Sequence, residues 1–290
     1  MNQDLLQLRK LTVKDFPLVQ AMETSIENDY VLNIFPELVE SETNAVYGLF
    51  TNDILVAIAG YSIFLGGYAM LGRLRSDKRF ISKGYATKIL HLIKGELEKD
   101  PSIKWIGANT NEGNLPARRV LQKLEFSEIT KLHSITVKDK SQLNGRNGMT
   151  WDKVESLHQK RNLLNELTTN SLGVYPYECY YPFPYTEQLV SDDHLKKSSF
   201  YQNPTKDRLL IIKNDHKHEW FAHVKYFWND HFKQPGFWNT IEQYIQEQAI
   251  PLKAWVDFSP EGYHSIPNID AFDDSDPWIL YGNPQKTRKR

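Results

Sequence analysis

Two periods of apolar residues alternate along the first half of this chain. Leu5, Leu6 and Leu8 ahead of Arg9-Lys10 predict a first strand. Asp15 then stands as a helix N-cap, with Pro17 tolerated in the first turn and Phe16, Val19, Met22 and Ile26 as an apolar stripe. The apolar runs Val46 to Phe50 and Ile54 to Phe64 flank Thr51-Asn52-Asp53, a polar trio suited to a hairpin turn between antiparallel strands. Gly66-Gly67 makes a second turn, and Tyr68 to Arg75 continues as the next strand. The period then changes. Ala86, Leu90, Ile93 and Leu97 follow helical spacing until Asp100-Pro101 stops the helix. Trp105 to Thr110 reads as a buried strand. Asn114 caps a helix with Ala117, Val120, Leu121 and Leu124 on one face, and Glu128 to Val137 reads as a strand.

The second half opens with a predicted helix from Trp151 to Asn165. Leu209 to Lys213 and Trp220 to Trp228 read as strands, Trp238 to Gln248 as a helix, and Leu252 to Phe258 and Trp278 to Tyr281 as strands. The expected class is α/β with a mixed sheet and a parallel crossover near the middle of the first half. The expected domains are residues 1–140, a linker at 141–150 around Asn144-Gly145-Arg146-Asn147-Gly148, and a second α/β domain at 151–290.

A formal net charge of −1 leaves no global basic field for nucleic acid or acidic membranes, and no basic-aromatic platform for single strands is present. The single cysteine, Cys179, excludes an intramolecular disulfide. Residues 1–10 hold no basic-then-apolar leader, and no apolar run approaches the roughly 18 residues that span a bilayer. A cytoplasmic protein with no membrane partner is expected. His216, His218, His223 and His231 invite a metal reading, but His218-Glu219 is followed by His223 at i+5 in a segment that reads as a strand. On a strand those positions face opposite sides, so no metal site is expected. The stretch Tyr175 to Tyr185, rich in proline and tyrosine, reads first as packing and second as the lining of an acceptor pocket.

The chemistry concentrates at Ser82-Lys83-Gly84-Tyr85-Ala86-Thr87, where a strand and a short loop feed a helix. A helix start offers unpaired N–H groups and a partial positive charge, and glycine lets phosphate oxygens come close. Lys78, Arg79 and Lys83 bring cations to the same turn. No G-x-G-x-x-G follows a strand, and Gly67 to Leu74 lacks the Lys and hydroxyl of a P-loop. Further on, Asn114 to Phe126 carries Asn-x-x-Ala and then Lys-Leu-x-Phe.

In that order and spacing, residues 81–86 and 114–126 resemble the GNAT superfamily of N-acetyltransferases, over roughly residues 5–137. The resemblance implies a GNAT fold followed by a second α/β domain that could cover the acceptor site. The strand–helix–strand run Trp220 to Phe258, with Pro235-Gly236-Phe237 where a Gly-x-Ala would stand, would also suit a degenerate GNAT-like half. The resemblance implies acetyl-CoA as cofactor, bound by the backbone of Leu74, Arg75 and Ser76 and by main-chain N–H groups of Ser82, Lys83, Gly84, Tyr85, Ala86 and Thr87. Asn109 and Asn114 would face the cofactor's far side, and Ala117 would leave it room. Three positions depart from the family pattern. Ile81 stands at the Gln/Arg position, with Arg79 as its substitute; Leu121 stands where many members carry an acidic tyrosine; Glu125 replaces a glycine.

The implied reaction is attack of a primary amine of a small molecule, such as an amino acid, on the thioester. The alternative is an acyl-CoA-binding or regulatory module without turnover. A carboxylate must take the amine's proton: Glu112 leads, ahead of Glu23, Glu27 and Asp29. Tyr85 and Ser134 are the hydroxyls available as acids. Neither the acceptor nor the oligomeric state is written in these motifs.

Overall fold

The structure is a computed structural model that describes residues 6–283. Its contacts separate two units, one holding the described residues 6–110, 114–127 and 281–283, the other residues 111–113 and 128–280.

In the first unit, strand β1 (Leu6–Lys10) leads into a capping box in which Thr12 and Asp15 satisfy one another's backbone, and then into α1 (Phe16–Gln20). The predicted stripe does not continue to Ile26, which is 44% exposed. Left-handed Asn28 breaks the chain there, and a second helix, α2 (Tyr30–Glu40), begins at an Asp29 cap despite carrying Pro36 inside. Its Val31, Phe35 and Leu38 recur at helical spacing and pack with Val19, Met22, Val46, Phe50 and Ile58.

Strands β2 (Asn44–Thr51) and β3 (Ile54–Phe64) pair antiparallel through a turn whose Asn52 and Asp53 both adopt positive φ. This is the two-residue geometry that matches strand twist. β4 (Tyr68–Ser76) pairs antiparallel to β3, and β5 (Trp105–Asn111) pairs parallel to β4 after helix α3 (Tyr85–Lys99). The α3 face is Tyr85, Ile89, Leu90, Ile93 and Leu97, with Ala86 half-buried beside it. The order β1-β2-β3-β4-β5 with a parallel β4-α3-β5 crossover is the mixed sheet that the periodicity predicts.

Helix α4 (Leu115–Lys123) ends in a motif worth a test. Phe126 N–H bonds Leu121 C=O at 3.2 Å and Glu125 N–H bonds Gln122 C=O at 3.0 Å, with Glu125 at φ 61. This is a Schellman ending whose left-handed residue is ordinarily glycine. Glu125→Gly is expected to raise stability by about 1 kcal/mol, read as a higher midpoint in urea, because it removes the Cβ penalty at that φ.

The second unit contains β6 (Ser127–Val137), β7 (Asp152–Val154), α5 (Leu157–Asn165), β8 (Tyr175–Glu178), β9 (Tyr181–Phe183), α6 (Asp192–Lys196), β10 (Ser198–Gln202), β11 (Leu209–His216), β12 (Trp220–Tyr226), α7 (Phe237–Gln246), β13 (Lys253–Phe258), α8 (Pro260–His264) and β14 (Phe272–Asp273), and the last strand, β15 (Trp278–Gly282), is divided between the units at Leu280/Tyr281. Its sheet runs β6-β13-β12-β11-β10-β7, antiparallel except for a parallel β12-α7-β13 crossover. Trp151, Tyr226, Phe237, Trp238, Phe258 and Phe272 fill its core.

Three boundaries differ from the sequence expectation. β6 pairs with β13, so the units divide at Ser127/Glu128 and the expected linker 141–150 lies within the second unit. The predicted helix 151–165 starts only at Leu157, where Ser156 caps it, because Asp152–Val154 pairs with β10. Tyr281 belongs with the first unit, where Asn283 N–H bonds Ile106 C=O. Among the described residues no helix is long and apolar enough to cross a membrane.

Candidate active site

The end of β4 departs from regular pairing in two ways. Ile58 pairs with Arg75 and Gly60 with Gly72, so Arg73 and Leu74 together stand opposite Ala59 as a bulge. Arg73 sits at φ 57, held by hydrogen bonds from its Nη2 to Asn44 Oδ1 and Ser62 Oγ, each 2.9 Å. On the other edge, the parallel pairing with β5 ends at Leu71–Ala108. Beyond it the two strands part, with Leu74, Arg75 and Ser76 on one side and Asn109 on the other. A notch of this kind offers strand edges to an extended ligand arm.

Directly beyond β4 the chain turns into the start of α3. Buried Asp77 receives Arg79 N–H and the Arg79 guanidinium, closing a tight turn. The Arg79 guanidinium holds the Asp77 carboxyl below its usual range, helped by the N–H groups of Arg79 and Glu23. Ser82 (φ 72) and Gly84 (φ 77) both take left-handed conformations, and α3 begins with no side-chain cap. A Cβ placed on Gly84 would meet no atom within 4 Å. The first-turn N–H groups of Tyr85, Ala86 and Thr87 thus have no side-chain cap, at the positive end of the longest helix described in the unit.

The cations divide between two tasks. Arg79 is engaged with Asp77 and, at 3.9 Å, with Glu23, while half of its side chain stays exposed. Ile81 itself is 66% exposed. Lys83 makes no ion pair among the described residues.

Asn114 caps α4 by accepting Ala117 N–H at Oδ1, 3.2 Å. Leu121 is buried at the Schellman ending and contributes packing, without a hydroxyl. Glu112 is ion-paired with Lys131. Asp29 is also committed: it caps α2 through Val31 N–H and makes a bidentate pair with Arg75, at 2.6 and 2.7 Å. Burial raises the Asp29 carboxyl, and the Arg75 contacts outweigh that, leaving it below its usual range. The remaining carboxylates are Glu23 and Glu27. Glu23 lines a cavity of about 520 Å³ together with Met22, Asn28, Asp29, Leu32 and Lys78. Of the two hydroxyls, Tyr85 is buried against Phe80, and Ser134 donates to Asp257 within the second unit.

The second unit repeats the crossover and then closes it. Gly236, at φ 77, precedes α7 as Gly84 precedes α3. Here, however, a Cβ would come within 1.9 Å of Met149 C=O, and Gly236 N–H is bonded to Arg146 C=O at 3.1 Å. The chain's own carbonyls occupy this helix start. Only the turn at Ser82–Thr87 is left open to an anion of the two.

The four histidines singled out earlier form no common site. His218 is exposed beside Glu219, and His231 lies buried among Tyr226, Phe237 and Phe258, where burial pulls it down to about 3. His216 packs on Trp220 with the rings tilted at 46°, and His223 bonds Asp257.

No protein-family model and no curated protein matches the chain. Several solved structures match it along nearly its whole length. A GCN5-related N-acetyltransferase from Sphaerobacter thermophilus aligns at a TM-score of 0.59 and 9% identity, over 96% of this chain and 95% of its own. A protein of Thermoplasma acidophilum assigned to the acetyltransferases aligns at 0.57 and 11%, over 96% and 99%. One of Pyrococcus horikoshii, assigned likewise, aligns at 0.55 and 7%, over 100% and 93%.

Proposed function

The chain has the GNAT acetyltransferase fold, and on it we propose an acetyl-CoA-dependent N-acetyltransferase that acts on a primary amine of a small molecule such as an amino acid. The observation that carries this reading is the uncapped, unobstructed helix start at Gly84, placed directly beyond the parted ends of β4 and β5. In this reading the pyrophosphate rests on the N–H groups of Ser82, Gly84, Tyr85, Ala86 and Thr87, since Lys83 N–H is bonded to Phe80 C=O at 3.4 Å, and the Lys83 side chain is the neighbouring cation. The pantetheine arm lies along Leu74, Arg75 and Ser76, with Asn109 and Asn114 on the far side and Ala117 leaving room. Bound acetyl-CoA supplies a thioester; the amine nitrogen forms a bond to its carbonyl carbon as the carbon–sulfur bond breaks.

This chain's residues hold the partners together and handle the proton. With Asp29 bound to Arg75 and Glu112 to Lys131, Glu23 is the carboxylate on the cavity wall with the least engagement. We assign it the amine's proton, directly or through one water, in place of Glu112. Incubation of the full chain with acetyl-CoA and a panel of primary amines, amino acids included, should release free thiol. Glu23→Gln should lower kcat/KM by about a hundredfold at neutral pH with acetyl-CoA binding intact. No thiol release with any amine, alongside thermal stabilisation by acetyl-CoA, would favour a binding or regulatory module instead. Buried Leu121, with no hydroxyl to protonate a departing thiolate, is the feature that keeps this second reading in play.

A further inference from the structure

The second unit gathers a thiol, an imidazole and a carboxylate that the proposed reaction does not use. Cys179 is the first residue of the two-residue turn joining β8 to β9, and its N–H donates to Asp215 Oδ2 at 2.7 Å. Asp215 lies on β11 opposite Phe221 of β12, two residues from His223, which places Asp215 and His223 on one face of the sheet. The Cys179 sulfur, one His223 nitrogen and one Asp215 oxygen all lie within 4.8 Å of one another, and all three residues are buried.

The hydrogen bonds around His223 set its tautomer. Nε2 is 2.7 Å from Asp257 Oδ2, while Asp257 Oδ1 accepts from Ser134 Oγ at 2.5 Å and Trp255 Nε1 at 3.1 Å. An ionised carboxylate only accepts, so the proton of that contact belongs to Nε2. Nδ1 is left with a lone pair, and it has no hydrogen-bond partner although the residue is fully buried. A buried acceptor without a partner costs about 1–3 kcal/mol, which a ligand at that atom would recover. An imidazole fixed by a carboxylate on one nitrogen and open on the other is how metal-binding histidines are held.

We propose that Cys179 Sγ, His223 Nδ1 and Asp215 bind a zinc-like divalent cation, with Asp257 as the residue that positions His223. Tetrahedral zinc keeps such donors about 3.3–3.6 Å apart, so closure of about 1 Å brings the three into range. Binding forms the metal–sulfur bond as Cys179 gives its proton to solvent. Lys217 Nζ, 3.4 Å from Asp215 Oδ2, competes for the carboxylate, and Lys225 adds a second amine nearby, bonded to Tyr177 C=O. Cations held by carboxylates alone lose that contest. Sulfur and imidazole donors favour zinc or cobalt over magnesium or calcium. The trio is not an activated nucleophile, because burial and the Asp215 and Asp257 charges push the Cys179 thiol up.

Cys179 is the only cysteine, so a sulfur-to-cobalt charge-transfer band can come from nowhere else. The full chain, unfolded in urea and refolded with Co²⁺ under reducing conditions, should show that band at one Co²⁺ per chain and lose it to added Zn²⁺. Asp257→Asn should keep the band but weaken Co²⁺ affinity about 10–100-fold. Cys179→Ser should lack the band; if that variant does not refold, the native chain alone decides. Absence of the band in refolded native protein at millimolar Co²⁺, or a stoichiometry well below one, overturns the site.

Discussion

Arg75→Ala is expected to cost about 3–5 kcal/mol of stability in the first unit, read from urea unfolding, and to raise the KM for the acceptor amine more than that for acetyl-CoA. The two side chains of the Arg75–Asp29 pair are only 9% and 7% exposed. Removing the guanidinium leaves a carboxylate buried without its partner, and the same carboxylate caps α2 and lines the cavity at Glu23. Asp29→Ala/Arg75→Ala should be less harmful than the two single losses added together, since neither charge is then stranded. The pair also carries a pH signature. Asp29 lies below its usual range when folded, so its contribution is fully present above the unfolded value of about 3.9 and is lost as pH falls through the folded one. Arg75→Ala should remove that acid-side slope. A variant as stable as the native chain, with the slope unchanged, would mean that solvent already screens the pair.

The features that were legible in the sequence are those that local chemistry determines. Leu90, Ile93 and Leu97 mark the buried face of α3 by spacing alone. Asn114 reads as a cap and accepts the expected N–H. Gly84 reads as a glycine at a helix start, and its φ of 77 is the left-handed conformation that glycine adopts without strain. Thr51-Asn52-Asp53 reads as a hairpin turn; Thr51 ends β2, and Asn52 and Asp53 take the positive φ of the turn. The parallel crossover of each unit follows from strand–helix–strand order.

What escaped depends on contacts between distant residues. Arg73 has no propensity for positive φ; Asn44 and Ser62, 29 and 11 residues away, hold it there and so create the bulge. Asp29 stands in the sequence as a candidate base, and nothing local reveals that Arg75, 46 residues on, binds it. The same separation hides the loss of Glu112 to Lys131. α2 was missed because Pro36 argues against a helix locally, although Val31, Phe35 and Leu38 carried the stripe. His218 lies in the turn between β11 and β12, exposed, rather than on the strand that carries buried His223, so strand faces do not describe this pair. Cys179 and Asp215 reach His223 through a hairpin tip and a neighbouring strand, which no spacing along the chain displays.

Gly84→Val should weaken acetyl-CoA binding several hundredfold while leaving the first unit folded. With φ at 77, any Cβ costs about 1–2 kcal/mol, and a β-branched side chain resists that conformation most. The helix start can relax by turning Gly84 and Tyr85 away, but this swings the N–H groups of Ser82, Gly84, Tyr85, Ala86 and Thr87 off the phosphate oxygens. Losing two charge-assisted hydrogen bonds at about 1.5–3 kcal/mol each accounts for the expected factor. Gly84→Ala isolates the backbone term. Its methyl enters space that is empty to 4 Å, so it should carry most of the stability loss with a smaller loss of binding. Calorimetric titration with acetyl-CoA separates the two variants, and titration with desulfo- and dephospho-analogues shows which end of the cofactor has lost contact. If Gly84→Val binds acetyl-CoA as tightly as the native chain, the pyrophosphate does not rest on this turn. The proposed reaction would then need a different seat for its donor, and the other turn of this geometry, at Gly236, is already filled by the Arg146 carbonyl.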